Sequence, residues 1–229
     1  MEVPLFALFL ALTFIADTYS VHPGCECLIF SATYGKEKGI FKSPDHPLPY
    51  PANIDCLLYT FVASSDEIIE IQFLEFDILK TQLSCIQQDF LKLFLHLESG
   101  DINEYTPWTA LLCGELKELP SHTLYSSGPG LVLEFHTGPQ MPKPSGFLGT
   151  FRFIDKKLFQ IDGQKLPGTM CDYQFLASNY SPTYGKFYSP RYPSNYPKNV
   201  RCSYRFRARF KERIRVVFEE VSLQKGDLR

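Results

Sequence analysis

Seven cysteines are the residues of this 229-residue chain best placed to do chemistry: Cys25, Cys27, Cys56, Cys85, Cys113, Cys171 and Cys202. A thiol can form a disulfide, bind a soft metal or act as a nucleophile, and the compartment decides between these. Residues 4–16, P-L-F-A-L-F-L-A-L-T-F-I-A, are almost wholly apolar, too short to span a bilayer, and run into A-D-T-Y-S. They read as the core of a secretory signal peptide over residues 1–20, although the leader carries Glu2 and no Lys or Arg at its start. A secreted chain meets an oxidising compartment, so the thiols are read first as disulfides. An odd count leaves one over, or leaves its partner outside this sequence. The C-E-C at 25–27 lacks metal-site spacing. The histidines, His22, His46, His96, His122 and His136, are scattered and form no H-E-x-x-H. No G-x-S-x-G and no Gly-rich phosphate loop is present. The reading is therefore a non-enzyme without a cofactor.

The second chemical pattern is electrostatic. Residues 1–170 hold 11 Lys+Arg against 20 Asp+Glu, a charge of −9, whereas residues 171–229 hold 12 against 5, a charge of +7. Within the basic part, Arg205, Arg207, Arg209, Lys211, Arg213 and Arg215 fall at odd positions. Tyr204, Phe206, Phe210, Ile214, Val216 and Phe218 fall at even ones. In an extended chain that alternation puts the cations on one face and the apolar side chains on the other. A hairpin turn near Arg209–Glu212 would set two arms side by side. The stripe suits an acidic glycosaminoglycan, anionic lipid or an acidic protein surface, and equally an ordinary solvated sheet face. Nucleic acid is a poor partner for a secreted chain. Asn179-Tyr180-Ser181 is an N-glycosylation sequon, with Pro182 after it lowering its use. Trp108, in the polar stretch 104–109, reads either as a contact anchor or as a partly buried loop aromatic.

The elements that must hold these residues are strands. Hydrophobic content is 45% and aromatic content 15%, enough for a packed core. Glu67–Phe76 alternates Ile69, Ile71 and Phe73 with Glu70 and Gln72, the pattern of a half-buried strand. Residues 56–62, 90–97, 131–135 and 147–153 are further short apolar runs, separated by Gly-, Pro- and Ser-rich turns. No stretch keeps a helical period. Many short strands with this punctuation imply an all-β, antiparallel sandwich braced by disulfides.

A phrase is also written twice. Residues 39–56 read G-I-F-K-S-P-D-H-P-L-P-Y-P-A-N-I-D-C and residues 185–202 read G-K-F-Y-S-P-R-Y-P-S-N-Y-P-K-N-V-R-C. Each closes on a cysteine 31 residues after an earlier one, Cys25 or Cys171. One domain type is duplicated. The expected division is a first domain over 25–155, a linker over 156–170, and the N-terminal half only of a second domain over 171–229, as in a fragment of a longer protein.

The first unit resembles a CUB domain, an extracellular β-sandwich of jelly-roll type. The resemblance is carried by Cys25, Gly39-Ile40, Ser43-Pro44, Tyr50-Pro51 and Asn53 running into Cys56, the strand Ile69–Phe76, Cys85 and Cys113, the strand Leu131–Phe135, and Gly146-Phe147. The second repeats the first half: Cys171, Gly185, Ser189-Pro190, Tyr192-Pro193, Tyr196-Pro197, Cys202 and a strand Ile214–Phe218. The resemblance implies the pairings Cys25–Cys56, Cys85–Cys113 and Cys171–Cys202, each closing a loop of roughly 30 residues and contributing about 3–4 kcal/mol. Cys27 is then unpaired, open to a segment outside this sequence, to another chain, or to burial as a free thiol.

Many members of the family bind calcium through three acids. In this chain Leu79 stands at the first position, Asp89 at the second and about Gly138 at the third, so the first domain is expected to be calcium-free. In the second unit Gln224 occupies the first position and the rest is open. The family implies a non-catalytic, secreted or extracellular binding module whose partners are extracellular or membrane proteins. It could be the ectodomain of a membrane protein anchored beyond this sequence. The tandem looks similar to the suppressor-of-lurcer and neuropilin–tolloid-like group of receptor-associated proteins. The alternatives are the targeting region of a secreted protease, or a glycosaminoglycan- or growth-factor-binding secreted protein.

Overall fold

The computed structural model describes residues 24–81, 85, 88–180 and 182–224. The expected signal peptide lies outside them. Ten strands belong to the first unit: β1 (Glu26–Ser31), β2 (Lys38–Lys42), β3 (Leu57–Val62), β4 (Glu67–Ile78), β5 (Phe90–Leu97), β6 (Ala110–Leu112), β7 (Gly114–Glu115), β8 (Thr123–Tyr125), β9 (Gly130–His136) and β10 (Gly146–Asp155). They form two sheets, ordered β1-β3-β9-β5-β6 and β2-β10-β4-β7, with β8 also on β4. The helical pieces among the described residues are two short 3-10 turns, at Leu116–Glu118 and Lys156–Phe159. No helix there is long and apolar enough to cross a membrane.

Alternation explains the layers. Ile69, Ile71 and Phe73 of β4 share one core with Leu91, Leu93 and Leu95 of β5 and with Leu131, Leu133 and Phe135 of β9. Each such side chain, fully buried, stabilises the fold by about 1.5–3 kcal/mol. At the centre is Phe147, with ring centroids 5.3 Å from Phe135, 5.4 Å from Tyr59 and 6.1 Å from Phe41. Glu70, expected on the polar face, is buried. Its register partners are Arg152 on β10 and Tyr125 on β8. Burial alone would raise its carboxyl, but hydrogen bonds from Arg152 and Tyr125 outweigh it and hold the group below its usual range. Burial first, then Glu70, pushes the Tyr125 phenol up to about 12.

The duplication is visible in the backbone. After Cys25 and Cys56 come β1 and β3, which pair in parallel from Glu26↔Leu57. After Cys171 and Cys202 come β12 (Tyr173–Leu176) and β13 (Tyr204–Arg207), which also pair in parallel, from Tyr173↔Tyr204. Asp45 and Asn53 have φ of 59°, and their counterparts Arg191 and Asn199 have 66° and 54°. Such left-handed backbone is uncommon outside glycine, so its recurrence marks one turn built twice.

Residues 156–170, expected as a linker, include β11 (Gln164–Lys165), which joins the edge of β12, and Phe159, which packs on Tyr188 and Tyr192. One expectation is corrected. Ile214–Phe218 is not a strand. It takes no place in the sheet of β11, β12 and β13, and Ile214, Val216 and Phe218 are exposed. A strand needs a neighbour's hydrogen bonds, and no described segment supplies them there.

Candidate functional site

Loops from four parts of the first unit meet at one end of the sandwich. The Pro-rich phrase before β3 lies against the loop between β9 and β10. Tyr50 N–H donates to the Pro144 carbonyl (3.2 Å), Asn53 N–H to the Gly138 carbonyl (3.2 Å), and the Thr137 hydroxyl to the Pro51 carbonyl (2.9 Å). Buried Ser43 accepts from Phe147 N–H at 3.0 Å. That approach requires glycine at 146, whose φ is +83° and where a Cβ would lie 2.0 Å from the Ser43 hydroxyl.

The centre of this end is Asp89, just before β5. Its Oδ2 accepts from the Tyr50 hydroxyl at 2.6 Å, and its Oδ1 from Gly138 N–H at 2.8 Å. Lys143 Nζ donates to both oxygens at 2.8 Å. The Tyr50 hydroxyl in turn accepts from Leu79 N–H at 2.9 Å. The side chains of Lys143 and Asp89 are both 0% exposed. Burial, then the hydrogen bond to Asp89, pushes the Tyr50 phenol far up, so it stays a donor.

Leu79, Asp89 and Gly138, aligned in the sequence with a calcium-ligand pattern, thus do converge. The residues present do not fit the ion. Calcium needs several oxygen ligands, mostly carboxylates. Here the one carboxylate accepts four hydrogen bonds, which uses all its lone-pair sites. Among the described residues no three His, Cys, Asp or Glu side chains are grouped to hold a metal. The second copy repeats the start of this arrangement: Gln224 N–H donates to the Tyr196 hydroxyl at 2.9 Å.

The cysteines bond as Cys25–Cys56, Cys85–Cys113 and Cys171–Cys202, with Cα–Cα distances of 4.6, 5.6 and 5.1 Å. Cys27 is free and exposed on β1, which removes the buried-thiol reading. The arginine stripe is half formed. Arg205 and Arg207 are exposed on β13 while Tyr204 and Phe206 turn inward, as the alternation requires. Arg209 and Glu212 close a turn through backbone and side-chain bonds, and Arg209 also reaches Asn179. Lys211 within that turn, and Arg213 and Arg215 beyond it on irregular chain, are exposed, so no second arm gathers the charge. Asn179 is exposed, and Ser181 of its sequon lies outside the described residues.

The sequence did not single out Tyr105. The loop between β5 and β6 is fixed by its own bonds. Asn103 N–H donates to the Thr106 hydroxyl (2.8 Å), Tyr105 N–H to the Asn103 side chain (2.9 Å), and Thr109 N–H to the Leu93 carbonyl (2.7 Å). This loop holds Tyr105 at 85% and Trp108 at 56% exposure. Trp108 is therefore a displayed side chain rather than a partly buried one. Glu98, Asp101 and Glu104 lie in the same loop, and residues 98–109 contain no Lys or Arg.

Comparison with known proteins adds the following. The family model described as CUB domain matches residues 31–151 and 171–228. No curated protein sequence is significantly similar to the chain. Among solved structures, the full extracellular region of zebrafish Gpr126/Adgrg6 aligns at 23% identity and a TM-score of 0.43, over 56% of this chain and 14% of that one. The CUB1-EGF-CUB2 domain of human MASP-1/3 aligns at 21% identity and 0.44, over 56% and 42%. The CUB1-EGF-CUB2 domains of rat MASP-1 align at 16% identity and 0.44, over 78% and 70%. The chain thus spans well under two thirds of the first two.

Proposed function

The chain belongs to the CUB domain family, whose members are extracellular protein-interaction modules, and from that premise we propose that it is a non-catalytic, receptor-associated binding module acting through loops at the ends of its first sandwich. The observation that carries this reading is the loop at 98–109. It is held by its own hydrogen bonds, presents Tyr105 and Trp108 to solvent, and its charged residues, Glu98, Asp101 and Glu104, are all acids. Exposed aromatics on a pre-ordered loop are the kind of residue that dominates protein interfaces, because little entropy is lost when they dock. The acids point to a basic protein surface as the partner.

The test is binding of the secreted chain, fused to an antibody Fc, to a panel of cell types by flow cytometry. Changing Tyr105→Ala and Trp108→Ala together is expected to weaken binding at least about tenfold, the usual cost of losing an aromatic anchor. Protease treatment of the cells should abolish it. Unchanged binding by the double variant would remove this loop from the interface.

A second reading, polyanion binding by the basic half, is supported by Arg205 and Arg207, exposed on one face of β13. On a heparin column, Arg205→Ser, Arg207→Ser and Arg213→Ser together are then expected to elute at clearly lower salt than the wild type, since each phosphate- or sulfate-type contact adds to the salt dependence. Elution at the same salt leaves the stripe a solvated sheet face.

A further inference from the structure

A lysine with no exposed side chain is rare, and Lys143 is held entirely by the single carboxylate of Asp89. Burying an ammonium and a carboxylate together carries a large desolvation cost, so such a pair persists only where its geometry is complete. Here it is complete. Lys143 bonds both carboxylate oxygens, Gly138 N–H and the Tyr50 hydroxyl take the remaining lone pairs, and the ammonium also sits 5.8 Å from the Tyr50 ring centroid. The partners come from three loops: Tyr50 from the Pro-rich phrase, Asp89 from the entry to β5, Gly138 and Lys143 from the loop between β9 and β10, with Leu79 N–H joined through Tyr50.

We propose that the Lys143 ammonium is a resident cation that closes this end of the first sandwich in place of a bound calcium ion, so that the order of these loops does not depend on free calcium. Three observations converge on it. Leu79 and Gly138, which meet Asp89 through Tyr50 and directly, carry no charge, so the ammonium is in contact with one carboxylate, which one monovalent cation balances. The remaining carboxylate has no lone pair left for a metal. A divalent ion beside Asp89 would also meet the ammonium, a like charge in a site that excludes water. The two prolines flanking the lysine, Pro142 and Pro144, restrict the backbone that aims it inward.

The experiment uses the whole secreted chain. Thermal unfolding is followed by circular dichroism in millimolar calcium chloride and in EDTA, for the wild type, Lys143→Met, Asp89→Asn and the double variant Asp89→Asn/Lys143→Met. The wild-type transition is expected at the same temperature in both buffers. Lys143→Met strands a buried carboxylate and is expected to lower the first domain's transition by roughly 10–20 °C, with no recovery in calcium. The double variant, which removes both charges, is expected to regain more than half of that loss. A rise of the wild-type transition in calcium that Asp89→Asn abolishes would overturn the proposal. So would a Lys143→Met transition at the wild-type temperature. Should Lys143→Met fail to be secreted, the double variant decides: secretion with a wild-type-like transition supports the internal ion pair, and a double variant no better than the single one refutes it.

Discussion

Phe147→Ala is expected to lower the stability of the first sandwich by ~3–5 kcal/mol, the range for deleting a fully buried aromatic ring. Phe147 is 0% exposed. Its ring meets Phe135 and Phe73 edge-on, at 5.3 and 6.2 Å, and Phe76 in a stacked arrangement at 6.4 Å. These neighbours come from both sheets, so no single one can move to fill the void, and a cavity cost adds to the lost burial. The effect also reaches the loop end. Phe135 lies 5.3 Å from the Tyr50 ring, and Tyr50 carries the hydrogen bond to Asp89. Urea unfolding in non-reducing buffer measures the loss. Phe147→Leu, which keeps most of the volume, is expected to cost less than about half as much. A loss below ~1 kcal/mol for Phe147→Ala would mean that the two sheets do not close on this residue.

The difference between what the residues announced and what they do is largely a difference between local and distant information. The strand Glu67–Ile78 was readable over Glu67–Phe76 because alternation is local: Ile69, Ile71 and Phe73 declare one face within a few positions. The parallel pairing of β1 with β3 was not, since it depends on where the chain returns after the turn-rich phrase. Glu70 was read as solvent-facing because alternation says nothing of Arg152, whose place beside it is fixed only by the register with β10. The calcium position was legible as missing acids at Leu79 and Gly138. What replaced them was not, because Lys143 sits in M-P-K-P, a turn where a lysine is by default solvated. The signal that could have found it is charge balance: an Asp89 without its acidic companions, buried beside the core, needs a cation from somewhere in the same loop set. The arginine stripe shows the opposite failure. Its period was real, and β13 obeys it, but alternation past Arg209 needed a strand partner that no described segment supplies.

Removal of the Cys85–Cys113 disulfide, by Cys85→Ala and Cys113→Ala together, is expected to cost ~4–5 kcal/mol and to be the more damaging of the two disulfide deletions in the first domain. The bond spans 28 residues, and Cys25–Cys56 spans 31. Loop-closure entropy changes only with the logarithm of loop length, so on that term alone both bonds contribute about 3.5 kcal/mol and the two deletions should match. Their surroundings differ. Cys113 is part of the main core, beside Leu112, and the glycine after it has a φ of +84° at the start of β7. Cys85 stands four residues before Asp89, so this bond ties to the core a point close in sequence to the buried ion pair. Cys25–Cys56 instead braces the start of β1, an exposed edge strand, against a smaller apolar cluster of Leu58, Phe94, Leu97 and Val132. Deleting Cys85–Cys113 therefore loosens both the chain and the position of Asp89, whereas deleting Cys25–Cys56 releases an edge. Urea midpoints of the two double-alanine variants separate these terms. A larger loss for Cys85/Cys113 that shrinks to the Cys25/Cys56 value in the background of Asp89→Asn/Lys143→Met assigns the excess to the ion pair. Equal losses in both backgrounds would mean that the bond acts by chain entropy alone.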